Sequence, residues 1–183
     1  STGAIAGLDT DQVAAISSRS VGALSSAQVG ALDTAQFAAL STAQLAQISS
    51  AAVAGLGTDD LATLDSAEIA VLQSRTIAAL STDNFAALTS TQLSGLTSGQ
   101  LASLTTTQVS LLTSDTIAGL SSSQIASLNS RQVAALSNGA LAALTSVQLP
   151  GLSTSGVASL NSAQIGAMTS DQFDYLSTAQ IGA

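Results

Sequence analysis

Apolar residues recur along this chain at alternating intervals of three and five, and that rhythm never slips. Written in blocks of eight from Ser1, the sequence aligns without insertion or deletion over 22 full octads and seven residues of a twenty-third. The fifth position is apolar in all 23 copies, from Ile5, Val13 and Val21 to Ile181, and the eighth is Leu, Ile or Met in all 22. Fixed-period self-similarity of this kind marks a repeat architecture, in which each unit completes its core only against its neighbours. Fifth and eighth positions are therefore the expected core. Sixth positions are Ala, Gly or Ser except at Pro150 and Asp174, which predicts that another stretch of backbone passes close by.

The polar positions say where each element starts. First positions are Ser, Thr, Asp or Asn in 21 copies, the exceptions being Gly57 and Gln73. Gln fills the fourth position in 13 copies, among them Gln28, Gln36, Gln44, Gln100, Gln132 and Gln180, and Glu68 holds the same place. Ser, Thr, Asp or Asn followed three residues later by Gln or Glu is the capping-box pattern, in which two otherwise unpaired amides at a helix start are satisfied reciprocally. A start signal every eight residues excludes one continuous helix, because eight residues at about 100° each would move the apolar stripe about 80° round per repeat. The expected fold is all-α: a right-handed α-solenoid of very short helices, one octad per helix, with Ser, Thr and Gln on the outside. Right-handed winding follows from a mean apolar spacing above 3.6.

A β-solenoid is the alternative, with Ser/Thr pairs in outward ladders and aliphatic residues stacked inside. The spacing of three between core positions and the abundance of Ala count against it, whereas Pro150 and its predecessor Leu149, both awkward in a helix, count for it. The whole chain, 1–183, reads as a single array, expected to be a fragment of a longer one.

A slower period overlies the octad. Arg19, Arg75 and Arg131 are the only cations, all at third positions and seven octads apart; Asp59, Asp115 and Asp171 repeat the same interval. Either a seven-octad unit was duplicated, or seven octads make a whole number of solenoid turns. Each of Arg75 and Arg131 follows an Asp (Asp59, Asp115) by two octads, so a turn of that length would let these pair.

Composition narrows the chemistry. The net charge is −8, and with three Arg and no Lys there is no basic patch to neutralise phosphates, which excludes nucleic acid as an expected partner. His and Cys are absent, removing the imidazole base, the thiolate nucleophile and the zinc, haem and iron–sulfur ligands that enzymes use most. No apolar run approaches the roughly 20 residues of a membrane helix, so no membrane insertion is expected. Asp59 with Asp60, and Asp9 with Asp11, come nearest to metal or acid–base chemistry, but neither carries a recognisable calcium loop, and a solvated acidic face is the simpler reading. Asp9, Asp33 and Asp65, at first positions, read as helix caps. Phe37, Phe85 and Phe173 occupy fifth positions and read as core; Asp174 and Tyr175 break the small-residue rule in the penultimate copy and mark an expected edge. No catalytic, cofactor-binding or metal-binding residue is assigned, no cofactor is expected, and the chain is not expected to be an enzyme.

The blocks SSAQVGAL, DTAQFAAL, STAQLAQI and STAQIGA resemble the LSTAQ-type octapeptide arrays of very long bacterial secreted and cell-surface proteins, adhesin-like ones included. The resemblance covers the whole chain. It implies a segment of a bacterial extracellular or surface protein. The solenoid architecture itself suits a structural role as a spacer, a stalk or a filament-forming module, with neighbouring repeats as partners and end-to-end self-association expected of an isolated segment whose ends expose apolar cross-sections. The alternative is a binding module whose Ser/Thr/Gln surface adheres to glycan, another cell or ice.

Overall fold

The computed structural model describes residues 1–183, with 21 α-helices of four to six residues and two 3-10 turns, one element in every octad and no strand. The all-α reading holds. In octad after octad, the first-position residue is extended, as at Asp33 (φ −77°, ψ 168°) and Thr97 (φ −68°, ψ 158°), and its side chain accepts from the amide three residues on. The helix then occupies positions two to six. The eighth residue is extended again, as at Leu72, Leu120 and Leu136. Two successive extended residues thus turn the chain between helices. No residue has a positive φ, so these turns need no glycine.

Two octads depart from the α-helix. Ala52–Gly55 and Leu149–Gly151 are 3-10 turns, the second holding Pro150. A single tight turn asks little of the proline nitrogen, and Leu149 still donates to the Thr145 carbonyl at 3.0 Å. Pro150 therefore gives the β-solenoid no support.

The chain divides into two compact units, Ser1–Leu96 and Thr97–Ala183. Within each, long-range hydrogen bonds fix the pitch. In the first unit the Gln44 amide reaches the Ile16 carbonyl and the Asn84 amide reaches Leu56; in the second, Gln132 reaches Leu104 and Gln172 reaches Leu144, every pair 28 residues apart. One coil is thus 28 residues, or three and a half octads. Within each unit helices pack on helices three octads further along, as Ser18–Gly22 does on Thr42–Leu45 and Thr106–Ser110 on Ser130–Ala135. The half-octad remainder staggers successive coils like courses of brick. It also overturns the expected pairing of Asp59 with Arg75 and of Asp115 with Arg131, since two octads are little more than half a coil and neither pair forms an ion pair.

Core side chains come from positions five and eight, with Leu101, Ile117, Ile125 and Val133 fully buried. Helices approach closely at small residues, as expected. A Cβ on Gly30 would lie 2.8 Å from the Gly55 carbonyl oxygen, and one on Gly55 would overlap the Ser26 carbonyl oxygen. Phe173 departs from expectation: it is 37 % exposed, while Phe37 and Phe85, at the same octad position, are 1 % exposed. Asp174 and Tyr175 beside it are exposed too. No helix is long and apolar enough to cross a membrane.

Candidate functional site

The most regular polar residue of the repeat, the fourth-position Gln, was expected outside and is buried: Gln44, Gln100, Gln132 and Gln148 are each at most 2 % exposed. The reason is that its amide has two ends and both are used. The Gln44 oxygen accepts from the Ser41 backbone N–H at 2.7 Å and from the Ser41 hydroxyl at 2.8 Å. Its nitrogen donates to the carbonyls of Val13, Ala14 and Ile16 in the preceding coil, at 3.0, 3.3 and 2.8 Å. Those carbonyls lie at fifth, sixth and eighth positions; the fifth, Val13, already accepts from the Ile16 N–H at 3.1 Å, and the sixth and eighth are acceptors left over where a short helix ends. One side chain therefore satisfies the start of its own helix and the end of another. Gln132 repeats the arrangement on Leu101, Ala102 and Leu104, and Gln172 on Leu141, Ala142 and Leu144.

Substitutions at this position show which half each side chain retains. Asn84 and Thr76, too short for both, keep the bond to the preceding coil, to Leu56 and Ile48. In the Thr76 octad the anomalous first-position Gln73 donates to Ala46 at 2.9 Å, so two residues share the two carbonyls that a fourth-position Gln would have taken. Asp60 and Glu68 keep only the capping half, their carboxylates accepting from the N–H groups of Gly57 and Asp65. A carboxylate has no proton to offer the coil below.

The acidic candidates are not brought together as ligands. Asp9 caps its helix by accepting from Gln12 at 2.8 Å, Asp33 does the same to Gln36, and Asp65 to Glu68. Asp11 and Asp59 are exposed in first turns, and no three acidic residues converge.

The arginines are another matter. In the first unit Arg19 and Arg75 line one open pocket of about 540 Å³ together with Gln47, Ser49 and Gln73. Arg19, Gln47 and Arg75 follow one another at intervals of one coil, so they form a column with the amide between two guanidinium groups. Because a coil is three and a half octads, a third position is followed by a seventh and then by a third again. The seven-octad recurrence is thus two coils, and neither guanidinium has an ion-pair partner.

The final coil of the second unit carries another concavity, of about 290 Å³, with Val157, Leu160, Ile165, Met168, Phe173 and Ile181 among its lining. Ile165 and Ile181 are 44 % and 63 % exposed, against 0 % for Ile117 and Ile125 at the same octad position.

Comparison with known families matches residues 29–66, 53–90 and 157–183 to the ALTTAQ repeat. Residues 39–44 read ALSTAQ, which runs from the core Leu of one octad through the capping pair of the next to its bridging Gln. No curated protein matches the chain.

Proposed function

Because the chain carries ALTTAQ repeats in an octapeptide array, we propose that it is a non-catalytic structural segment, a spacer or stalk in a bacterial extracellular or cell-surface protein. The observation that supports this most is the engagement of Gln at both ends. The side chains that could have recognised a ligand are instead spent on backbone groups of adjacent coils, which joins successive coils by polar bonds as well as by the core. A bridge of this kind at most octads resists separation along the stack and leaves an outer surface of Ser, Thr and Ala that is hydrophilic but chemically plain. The absence of Cys suits export, since a long chain crossing an envelope avoids disulfide mispairing. The resemblance to secreted and surface arrays supports the same location. The test places the chain between an outer-membrane anchor and a fluorescent epitope and adds octads seven at a time. The distance of the epitope from the membrane should grow in proportion to the octads added; an unchanged distance would overturn the spacer reading.

A second reading, adhesion through the outer surface, is favoured by the Arg19, Gln47 and Arg75 column. Two unpaired guanidinium groups flanking an amide suit an extended ligand with carboxylate or sulfate groups, such as an acidic glycan. The Arg19→Gln, Arg75→Gln double variant should lose retention on a carboxylated polysaccharide column while its helical signal is unchanged. Equal retention of parent and variant removes this reading.

A further inference from the structure

We propose that the column of Arg19, Gln47 and Arg75 is a ruler: it selects a linear polyanion lying along the stack of coils, with one acid group on each arginine and an uncharged polar group on Gln47 between them. The proposal rests on the adhesion reading above and assigns what that surface recognises in its ligand.

In an array that obeys one octad rule almost everywhere, residues that break the rule mark places where a local demand overrides the repeat. Arg19 and Arg75 are two of the chain's three cations, Gln47 is its only amide at a seventh position, and Gln73 is its only Gln at a first position. They stand in three separate octads, yet all four line one open pocket. Duplication of a seven-octad unit accounts for the two arginines but not for the two glutamines, since Ser103 stands 56 residues after Gln47 and Ser17 stands 56 residues before Gln73.

The coils on either side hold Gln47 in place. A Cβ on Gly22, in the coil before, would lie 3.2 Å from the Gln47 carbonyl oxygen and 3.3 Å from its Cβ, so only a residue without a side chain lets the two segments come this close. From the coil after, the Gln73 side-chain nitrogen donates to the carbonyl of Ala46 at 2.9 Å. Gln73 is thus a positioning residue. The Gln47 side chain, clamped at its backbone, makes no hydrogen bond of its own, and neither guanidinium makes one. All three side chains are exposed, and no carboxylate lines the pocket.

Packed helices stand about 8–10 Å apart, so two coils separate the arginine positions by about 16–20 Å along the stack. With Gln47 at the midpoint, each guanidinium takes its own acid group, gripping two oxygens of a carboxylate or sulfate with its planar fork. The amide between them offers donors and an acceptor without charge, which suits a hydroxyl or acetamido group. Only an extended chain running along the stack meets all three at once. A compact anion meets one guanidinium, and on a molecule of net charge −8 that single contact holds it weakly.

The experiment is isothermal titration calorimetry at low salt with linear oligomers of galacturonic acid, graded in length and carrying one carboxylate per sugar. Affinity for the parent should rise at least about tenfold at the length that first spans both arginines, because the second contact is then intramolecular. Arg19→Gln and Arg75→Gln should each abolish that step and leave long oligomers binding like short ones. Gln47→Ala should weaken the spanning oligomers about fivefold, the effect of losing roughly one hydrogen bond, and leave short ones unchanged. Thr91→Asp, which lowers the net charge by the same single unit at an exposed third position outside the pocket, should retain the step. Circular dichroism checks that every variant keeps the helical signal. Binding without a step in length overturns the ruler and leaves the acidic-glycan reading standing, as does a step that survives in either arginine variant or disappears in Thr91→Asp. A Gln47→Ala variant that binds spanning oligomers like the parent removes the amide from the column. No binding of any oligomer overturns the ruler and the acidic-glycan reading together.

Discussion

Gln132 and Leu104 stand 28 residues apart in the sequence and 2.8 Å apart in space, the side-chain nitrogen of the first donating to the backbone carbonyl of the second. The same amide accepts from the N–H of Asn129 through its oxygen. That double use explains why the fourth position takes Gln in 13 copies and Glu in one. A capping box accepts either residue; only Gln also offers hydrogens to the neighbouring coil.

Gln132→Glu isolates the second role. The carboxylate keeps the cap but turns negative charge toward the carbonyls of Leu101, Ala102 and Leu104 in a buried site. We expect a loss of about 3 kcal/mol at neutral pH, the scale of a buried charge without a partner. The folded state holds the proton more tightly than the unfolded one, so the penalty is absent below the unfolded pKa of about 4.3 and grows as pH rises through it. Thermal melts of variant and parent should converge in acid and diverge near neutrality. A gap that does not change with pH would show that the penalty does not come from the buried charge, and no gap at any pH would show that the amide hydrogens do not matter.

What could be read from the sequence was local. The octad, the helix starts at residues such as Asp33 and Thr97, and the core at Ile117 and Ile125 depend on residues within four positions of each other. The pitch is a relation between residues a whole coil apart, such as Gln132 and Leu104, and no short-range pattern states it. Two signals carried it indirectly: the preference for Gln over Glu, and the seven-octad recurrence of Arg19 and Arg75, which is two coils. Gln47, midway between them at a seventh position, was invisible as their companion until a coil was known to be three and a half octads. The exposure of Phe173 was hidden for a related reason, because the octad pattern is the same at an end as in the interior.

Capping is tested by two threonines in one octad. Thr89 accepts from the Gln92 N–H at 3.3 Å and donates to the Gln92 side-chain oxygen at 3.1 Å, whereas Thr91 is exposed and its hydroxyl makes no bond. Thr89→Ala should cost about 1 kcal/mol, and Thr91→Ala a few tenths at most. Chemical denaturation of both variants provides the comparison, and equal shifts in midpoint would remove the capping argument.

Two glycines separate close packing from helix propensity, since neither has a positive φ. A methyl on Gly55 would collide with the Ser26 carbonyl, backbone against backbone, and Gly55→Ala should cost about 1–3 kcal/mol. Gly166, inside the helix Ser162–Ala167, has nothing within 4 Å of its missing Cβ. Gly166→Ala should instead stabilise the chain by about 0.5–1 kcal/mol through helix propensity. Opposite signs in differential scanning fluorimetry are the expected result. Destabilisation at both positions would mean that the packing around Gly166 is tighter than described.

Deleting a whole octad should be far less damaging than deleting half of one. Removal of residues 153–160 joins Leu152 to Asn161 and takes away a copy whose fourth position is Gly156, so no bridging Gln is lost. Gln164, which now donates to Ala134 and Leu136, would then stand four octads after the copy containing Ala126 and Leu128. Those residues offer the same two carbonyls at the same octad positions, because the bridge recognises backbone and not side-chain identity. Gln172 and Gln180 step back one octad in the same way. Removal of residues 153–156 alone joins Leu152 to Val157, erases a cap and shifts every later Gln by half an octad. After that shift Gln164 would face Ser130 and Gln132, at positions two and four, where carbonyls are already committed to the helix and its cap, as Thr42 O is to Ala46 N and Gln44 O to Gln47 N. The eight-residue deletion should retain most of the helical signal and a cooperative melt, and the four-residue deletion should lose the structure of everything after Leu152. Equal damage from the two would show that the octad is not the unit in which coils recognise each other.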